Sequence, residues 1–428
     1  MLFCACRAAD VLNAFVGLWL VPKYVDPSEL GAVMPLSHFA GFFALPVSIF
    51  ALTFMKELTV LATQKEYGKM KSFICGVFIG TGLFLVIALF FTHFVLPPFL
   101  ERIRITEGSL CLLIITSAYT GAVAPIYINA LQALKRFKTI SFINIICAPI
   151  RFIAMLTAMP FRALSGYFVG QAASPIFSIV ASIWTLRKEL SIPSKPYWTS
   201  AMFRRLLTIF ICTAAYCIPA NTLGLIEQTI LRQRLPDLDS AAYYVVTRFS
   251  DIVSFVACTL SAVLFPFTAS LSTKGKPTRK LVIKVSVVMI VTGVIFALCF
   301  GIAGKTILSI IPNGDKYVTY VWALPWLIVI TTLTGIQTFH TNTEVSAGRF
   351  NFLKWWIPIH IAFAVSLLLI AGHGQFISCL PSSLSKFLTR NYITSLKAML
   401  IWFTITTVLK TLIALFELLK QKCNPARN

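Results

Sequence analysis

The sequence predicts an all-α polytopic membrane protein, with about 12 transmembrane helices in two pseudo-repeated six-helix lobes around a central cavity. Three observations predict it. Of the 428 residues, 57% are hydrophobic and 12% are charged, about half the charge that keeps the surface of a soluble domain in water. The apolar runs reach the ~20 residues that cross ~30 Å of hydrocarbon as a helix, rather than the ~10-residue alternating segments of a barrel. The two halves of the chain also repeat one another weakly. This composition excludes a soluble, disordered or disulfide-scaffold protein.

Taken in order, the first span covers residues 3–22. Its end, Trp19-Leu20-Val21-Pro22-Lys23, lacks a small-residue cleavage site, so it is expected to be a true first helix rather than a removed signal. Asp26-Pro27-Ser28 breaks the chain before the second span, 31–55, and Tyr67-Gly68 before the third, 73–96. The next three follow closely at 109–133, 139–160 and 164–186. Pro193-Ser194-Lys195-Pro196 then interrupts, which predicts an N-terminal lobe at 1–190, a cytoplasmic linker at 191–205 and a C-terminal lobe at 206–428. The seventh and eighth spans are 206–231 and 241–266, closed by Gly275-Lys276-Pro277. The ninth, 283–311, ends at Pro312-Asn313-Gly314, and 318–341, 353–372 and 395–418 complete the twelve.

With the N-terminus inside, the inner segments hold 21 Lys and Arg and the outer loops 9, so both termini are expected in the cytoplasm. Much of the +22 net charge is this topological signal plus contact with anionic headgroups, not a nucleic-acid footprint. Eleven cysteines, including Cys75, Cys147, Cys212 and Cys258, sit mostly inside spans and behave as small apolar residues. Cys4-Ala5-Cys6 is too short for a metal site, and no metal is expected. Trp19, Trp198, Trp322, Trp326, Trp355, Trp356 and Trp402 are expected in the aromatic belts at the membrane interfaces.

A shift of 210 residues lays Ser37-His38-Phe39 on Thr247-Arg248-Phe249 and Ser28-Glu29-Leu30-Gly31-Ala32 on Leu238-Asp239-Ser240-Ala241-Ala242. A shift of 213 lays Arg136-Phe137 on Arg349-Phe350 and Asn129 on Asn342. Two halves of equal topology imply a site between lobes, as in alternating-access transporters.

Val25-Asp26-Pro27-Ser28-Glu29-Leu30-Gly31 resembles the turn after the first helix of the polysaccharide transporters, a family of the multidrug/oligosaccharidyl-lipid/polysaccharide (MOP) flippase superfamily. Ala130-Leu131-Gln132-Ala133-Leu134-Lys135-Arg136-Phe137 resembles the end of that family's fourth helix, and Ala163-Leu164-Ser165-Gly166-Tyr167-Phe168-Val169-Gly170 the start of its sixth. Ala241-Ala242-Tyr243-Tyr244 followed by Val263-Leu264-Phe265-Pro266 resembles its eighth. Two departures are a nearly absent basic tail before the first helix and Ala241-Ala242 in place of the family's glycine. The resemblance implies a non-enzymatic flippase in the bacterial cytoplasmic (inner) membrane. Its substrate would be a polyprenyl-diphosphate-linked oligosaccharide, the repeat unit of O-antigen, capsule or exopolysaccharide, moved from inner to outer leaflet. It implies the bilayer and polysaccharide polymerase or export proteins as partners. No cofactor is implied beyond a proton or sodium gradient.

Ionisable groups inside spans cost ~2.5–3.5 kcal/mol each on insertion scales, so each asks for a partner, a wet cavity or a function. Arg7, Asp10, Asn13 and Gly17 form one helical stripe, in which Arg7 reaches headgroups or substrate and Asp10 and Asn13 line a cavity. Arg151, mid-span with Asn144 two turns earlier, suits a diphosphate, because a guanidinium binds phosphate oxygens bidentately. The alternative is an ion pair to another helix. Arg248, with Tyr244 and Asp251 on its face, is either a substrate contact or half of a structural Arg–Asp pair, and its repeat partner is His38. Glu227 is a coupling carboxylate or the counter-charge of Arg232, with the counter-charge favoured. Gln337, His340, Thr341 and Glu344 form a further stripe, in which Glu344 is a cavity residue or meets Arg349. Lys56 would meet an incoming diphosphate if it faces the cavity, and a contact between Lys56 and Glu57, or of either with headgroups, is the ordinary reading.

Two other classes compete. A drug or cation antiporter of the same superfamily would need an acidic cavity. A membrane glycosyltransferase or polymerase would need carboxylates at headgroup level. Its one candidate, Asp237-Leu238-Asp239, is better read as the start of a helix.

Overall fold

The computed structural model describes residues 12, 15–105, 108, 110–254, 279–346, 350–370 and 395–420, and among them helices occur but no strand. Backbone groups in hydrocarbon have no water to bond, so a lipid-exposed chain closes its hydrogen bonds within helices. A π-helical turn, Val16–Leu20, runs into a short helix, Val21–Tyr24. Pro27–Leu30 adds another turn with Pro27 at its start, where the missing N–H costs no bond.

The long helices follow as α1 (Val33–Thr63), α2 (Tyr67–Arg102), α3 (Leu110–Ala133), α4 (Phe137–Ala158), α5 (Ala163–Ser191) and α6 (Ser200–Arg234). Then come α7 (237–254), α8 (Arg279–Ile310), α9 (Ala323–Ser346), α10 (Leu353–Ile370) and α11 (Leu396–Lys420). They stand where the second to twelfth expected spans lie. Most of the first, 3–22, and the end of the eighth lie outside the described residues. By length and apolarity, 8 segments of the described residues qualify to cross a membrane, rather than 12. Polar side chains account for part of the difference: α9 carries Gln337, His340, Asn342 and Glu344, and α7 carries Arg248 and Asp251.

Three helix ends share one device. Lys65, Arg104 and Lys135 take left-handed backbone with φ of 59°, 63° and 58°. The next amide then reaches back to a carbonyl five residues earlier: Glu66 to Leu61 at 3.0 Å, Ile105 to Leu100 at 2.9 Å and Arg136 to Leu131 at 3.0 Å. Each is a Schellman closure that satisfies terminal carbonyls, and a cation at that end also meets the negative pole of the helix.

The chain divides into two compact units, residues 1–225 and 226–428, and α6 begins in the first and ends in the second. In the first unit α3 packs against α1 and α5, and α4 against α5. Its core joins Phe54 and Leu58 of α1, Phe73 of α2, Ile126 and Leu131 of α3 and Leu186 of α5. The α4–α5 approach is close at Gly166, where an added Cβ would stand 2.5 Å from the Met159 backbone nitrogen. Lipid tails are as apolar as leucine, so helices in a bilayer gain by close packing at small residues rather than by hydrophobic expulsion.

Residues 192–199 are not helical, and α6 already starts within the stretch expected as linker. The strand of chain is tied down on the first unit. The Lys195 amide donates to the Gly68 carbonyl at 3.1 Å, Tyr197 Oη to Glu57 Oε2 at 3.1 Å and Trp198 Nε1 to the Ser72 carbonyl at 3.3 Å. Glu57, expected to meet Lys56 or headgroups, is therefore buried and held by the linker. In the second unit α9 packs against α8 and α11, and α10 against α11.

Replacing Gly166 by Ala should cost about 1–3 kcal/mol, because the overlap is with backbone that cannot rotate away. Gly121→Ala, with open space around it, should leave the melting temperature of the detergent-solubilised protein unchanged or raised. Equal melting of the two variants would show that the α4–α5 approach is not tight.

Candidate functional site

The second unit, residues 226–428, brings several charged and amide side chains together. Its first helical stretch, the end of α6, carries Glu227, Gln228 and Arg232. Arg232 is 1% exposed, and its Nη1 donates to Asp237 Oδ1 at 2.8 Å across the turn into α7. Asp239 accepts from the hydroxyl of Tyr320. Both carboxylates of Asp237-Leu238-Asp239 are thus taken by the fold at a helix start, where negative charge is also favoured by the helix dipole.

One turn further along α7, Tyr243 receives a bond from Gln228 Nε2 at 3.2 Å and lies close enough to Glu227 and Asp251 to feel both charges. Arg248 and Asp251 pair at 2.9 Å within the same helix, and the Arg248 guanidinium lies 5.0 Å from the centre of the Tyr244 ring. Neither side chain of that pair is sealed off: they keep 24% and 30% of their surface. Arg248 is therefore oriented by a carboxylate on one side and an aromatic face on the other, and its side chain is partly exposed.

Glu227 does not serve Arg232, which Asp237 holds. Its electrostatic partner is Lys410, from the middle of α11. Lys410 was not among the sequence candidates. It stands between Leu409 and Thr411 in an apolar run, and a count of every ionisable residue inside a span would have found it. Its ammonium also lies 5.8 Å from the centre of the Phe363 ring. On α9, Gln337, His340, Thr341 and Glu344 are all buried. Arg349, the proposed partner of Glu344, lies outside the described residues.

In the first unit Arg151 is half-buried on α4, whose packing partner is α5. His38 is half-buried on α1 and lies against α6 at Gly224, where an added Cβ would sit 3.2 Å from its Nδ1. Arg7, Asp10 and Asn13 lie outside the described residues, as does the side chain of Lys56. The structure thus brings Arg248, Asp251, Tyr243, Gln228 and Glu227 into one neighbourhood, and adds Lys410 to it. The described His, Cys, Asp and Glu side chains form no group able to hold a metal ion.

No protein-family model matches the chain, and no curated protein does. Solved structures do. An inward-facing multidrug resistance MATE family transporter of the MOP superfamily matches with TM-score 0.66 at 11% identity, covering 98% of this chain and 96% of that one. The lipid II flippase MurJ in an inward closed conformation matches with TM-score 0.62 at 14% identity, over 97% and 87%. A MATE crystal structure in the straight conformation gives 0.61 at 10%, over 99% and 95%. The chain is a polytopic α-helical membrane protein that shares its fold with these MOP transporters.

The Glu227–Lys410 interaction predicts a thermodynamic cycle. Glu227→Gln or Lys410→Met alone should destabilise the solubilised protein, since each leaves an uncompensated charge. The double variant should recover part of the loss, a coupling of about 0.5–3 kcal/mol. Strict additivity of the melting shifts would show that the two charges do not interact.

Proposed function

We propose that the chain is a flippase of the MOP fold that carries a polyprenyl-diphosphate-linked oligosaccharide across the bacterial inner membrane by alternating access, with both termini cytoplasmic. The observation that carries the reading is the guanidinium of Arg248, oriented by its pair with Asp251 and lying 5.0 Å from the centre of the Tyr244 ring, on a side chain that keeps 24% of its surface exposed. A planar fork of this kind receives phosphate oxygens in a bidentate way. In this reading Arg248 and Arg151 hold the diphosphate, and Arg7 and Lys56 receive it on arrival. His38, Asp10, Asn13 and Glu344 line the path. The polyprenyl tail stays in lipid. MurJ, a flippase for lipid II by its name, has the same fold, which fits a lipid-linked cargo.

A second reading is a drug or cation antiporter, favoured by the carboxylates Glu227 and Asp251 and by the fold shared with MATE multidrug transporters. The charges weigh against it. Asp251 is held by Arg248, and the field of Glu227 is opposed by Lys410, so neither carboxylate offers an uncompensated negative charge to a free cation. A proton or sodium gradient acting through Glu227 or Asp251 remains part of the proposal as its driving force.

The test is leaflet translocation of a fluorescent polyprenyl-diphosphate oligosaccharide in proteoliposomes. Wild type should move it, and Arg151→Ala plus Arg248→Ala should lower the rate at least tenfold with unchanged insertion. A well-folded wild type that moves no such lipid but effluxes organic cations would replace this reading by the second.

A further inference from the structure

The second unit holds a recess that the transport reading does not use. A small open cleft lies among α9, α10 and α11. Its aromatic wall is Phe352, Trp355 and Trp356, and its polar floor is His340, Thr341 and Lys410. His340 and Thr341 are 2% and 1% exposed, so the floor is deep in the protein. The wall is fixed by its own helix: the Trp356 and His360 rings meet at a tilt of 40° with centres 4.3 Å apart, and His360 Nδ1 lies 2.7 Å from the Trp356 carbonyl oxygen.

We infer that this cleft is a binding site for the headgroup of an anionic phospholipid, with the Lys410 ammonium as the phosphate ligand. Depth argues for a lipid. The mouth is where α9 ends and α10 begins, and therefore at a membrane surface. Lys410 lies ten residues before the end of α11 at Lys420, which at 1.5 Å per residue is ~15 Å inward. A water-soluble anion would have to leave its hydration behind to travel that far between apolar helices, whereas a lipid brings its phosphate in with its own tail. The flanks suit the tail: Ile361 and Val365 on α10, and Leu409 and Leu412 on α11, are exposed. The aromatic wall suits the glycerol level, where Trp is favoured. Charge decides the class of headgroup. Lys410 is the cation on the floor, and exposed Lys354 adds a second beside Trp355 at the mouth. Glu227, the carboxylate whose field reaches Lys410, is not among the residues that line the cleft.

This inference does not rest on the proposed cargo, and a failed flippase assay leaves it standing. The purified full chain is titrated with dioleoylphosphatidylglycerol and with dioleoylphosphatidylcholine, and retained lipid is counted by native mass spectrometry. Wild type should keep one phosphatidylglycerol at least tenfold more tightly than phosphatidylcholine. Lys410→Met should abolish that preference and Lys410→Arg should keep it. Glu227→Gln, which removes the opposing charge, should tighten phosphatidylglycerol several-fold, a gain that misfolding cannot produce. Equal affinity for the two lipids, or an unchanged preference in Lys410→Met, would overturn the site. Displacement of phosphatidylglycerol by millimolar inorganic phosphate, or by polyprenyl phosphate at equal or lower concentration, would also overturn the phospholipid assignment.

Discussion

An ionised side chain inside a bilayer has to be met by an opposite charge, by hydrogen bonds or by water, and the second unit is organised by how each of its charges meets that demand. Arg232 has the most complete answer: it is fully enclosed and bonded to Asp237 across a tight turn. Removing it would leave a carboxylate without its partner and the start of α7 without its anchor, so its role is to hold two helices in register. Arg248 has a looser answer, a carboxylate one helical turn away and a ring beneath it, with a quarter of its surface open. Lys410 and Glu227 answer one another through the field rather than by direct contact. The more completely a charge is satisfied by the protein, the less it can offer to a ligand.

The helices were legible from the chain because the bilayer sets a length and forbids alternatives: once an apolar run exceeds about 20 residues, helix is the one economical structure. The same rule explains why α7, α9 and α10 read less clearly. Polar residues that the interior of a bundle can satisfy lower their apolarity, and α10 is short. Charge pairing was less legible. Arg248 with Asp251 could be read off helical spacing, since three residues bring them to one face. Glu227 and Arg232 are five residues apart on α6, outside the spacing that brings side chains together, and Arg232 turns instead to Asp237, beyond the helix end, at 2.8 Å. Lys410 reaches Glu227 from a helix at the far end of the sequence, and local spacing carries no trace of such a pair.

Packing in the first unit follows a different logic from charge. The Gly166 approach of α5 to the end of α4 depends on a missing side chain, and the aromatic cluster of Phe54, Phe73 and Tyr197 fixes the connecting segment to α1 and α2. Tyr197 adds a hydrogen bond to buried Glu57. A connection that looks like a free linker in composition, rich in proline, serine and lysine, is thus an integral part of the first unit. Flexibility there cannot be assumed from its residues, because Gly68, Ser72 and Glu57 each accept a bond from it.

The weak internal repeat gains meaning from the two positions it equates. The 210-residue shift sets His38 against Arg248, and the surroundings of the two side chains differ. His38 is accommodated by a glycine, Gly224, which supplies room and no charge. Arg248 is accommodated by Asp251 and Tyr244, which supply both charge and a face. The cation is set by its own helix, with Asp251 three residues on and Tyr244 four residues back, whereas the histidine depends on a side chain missing from a neighbouring helix.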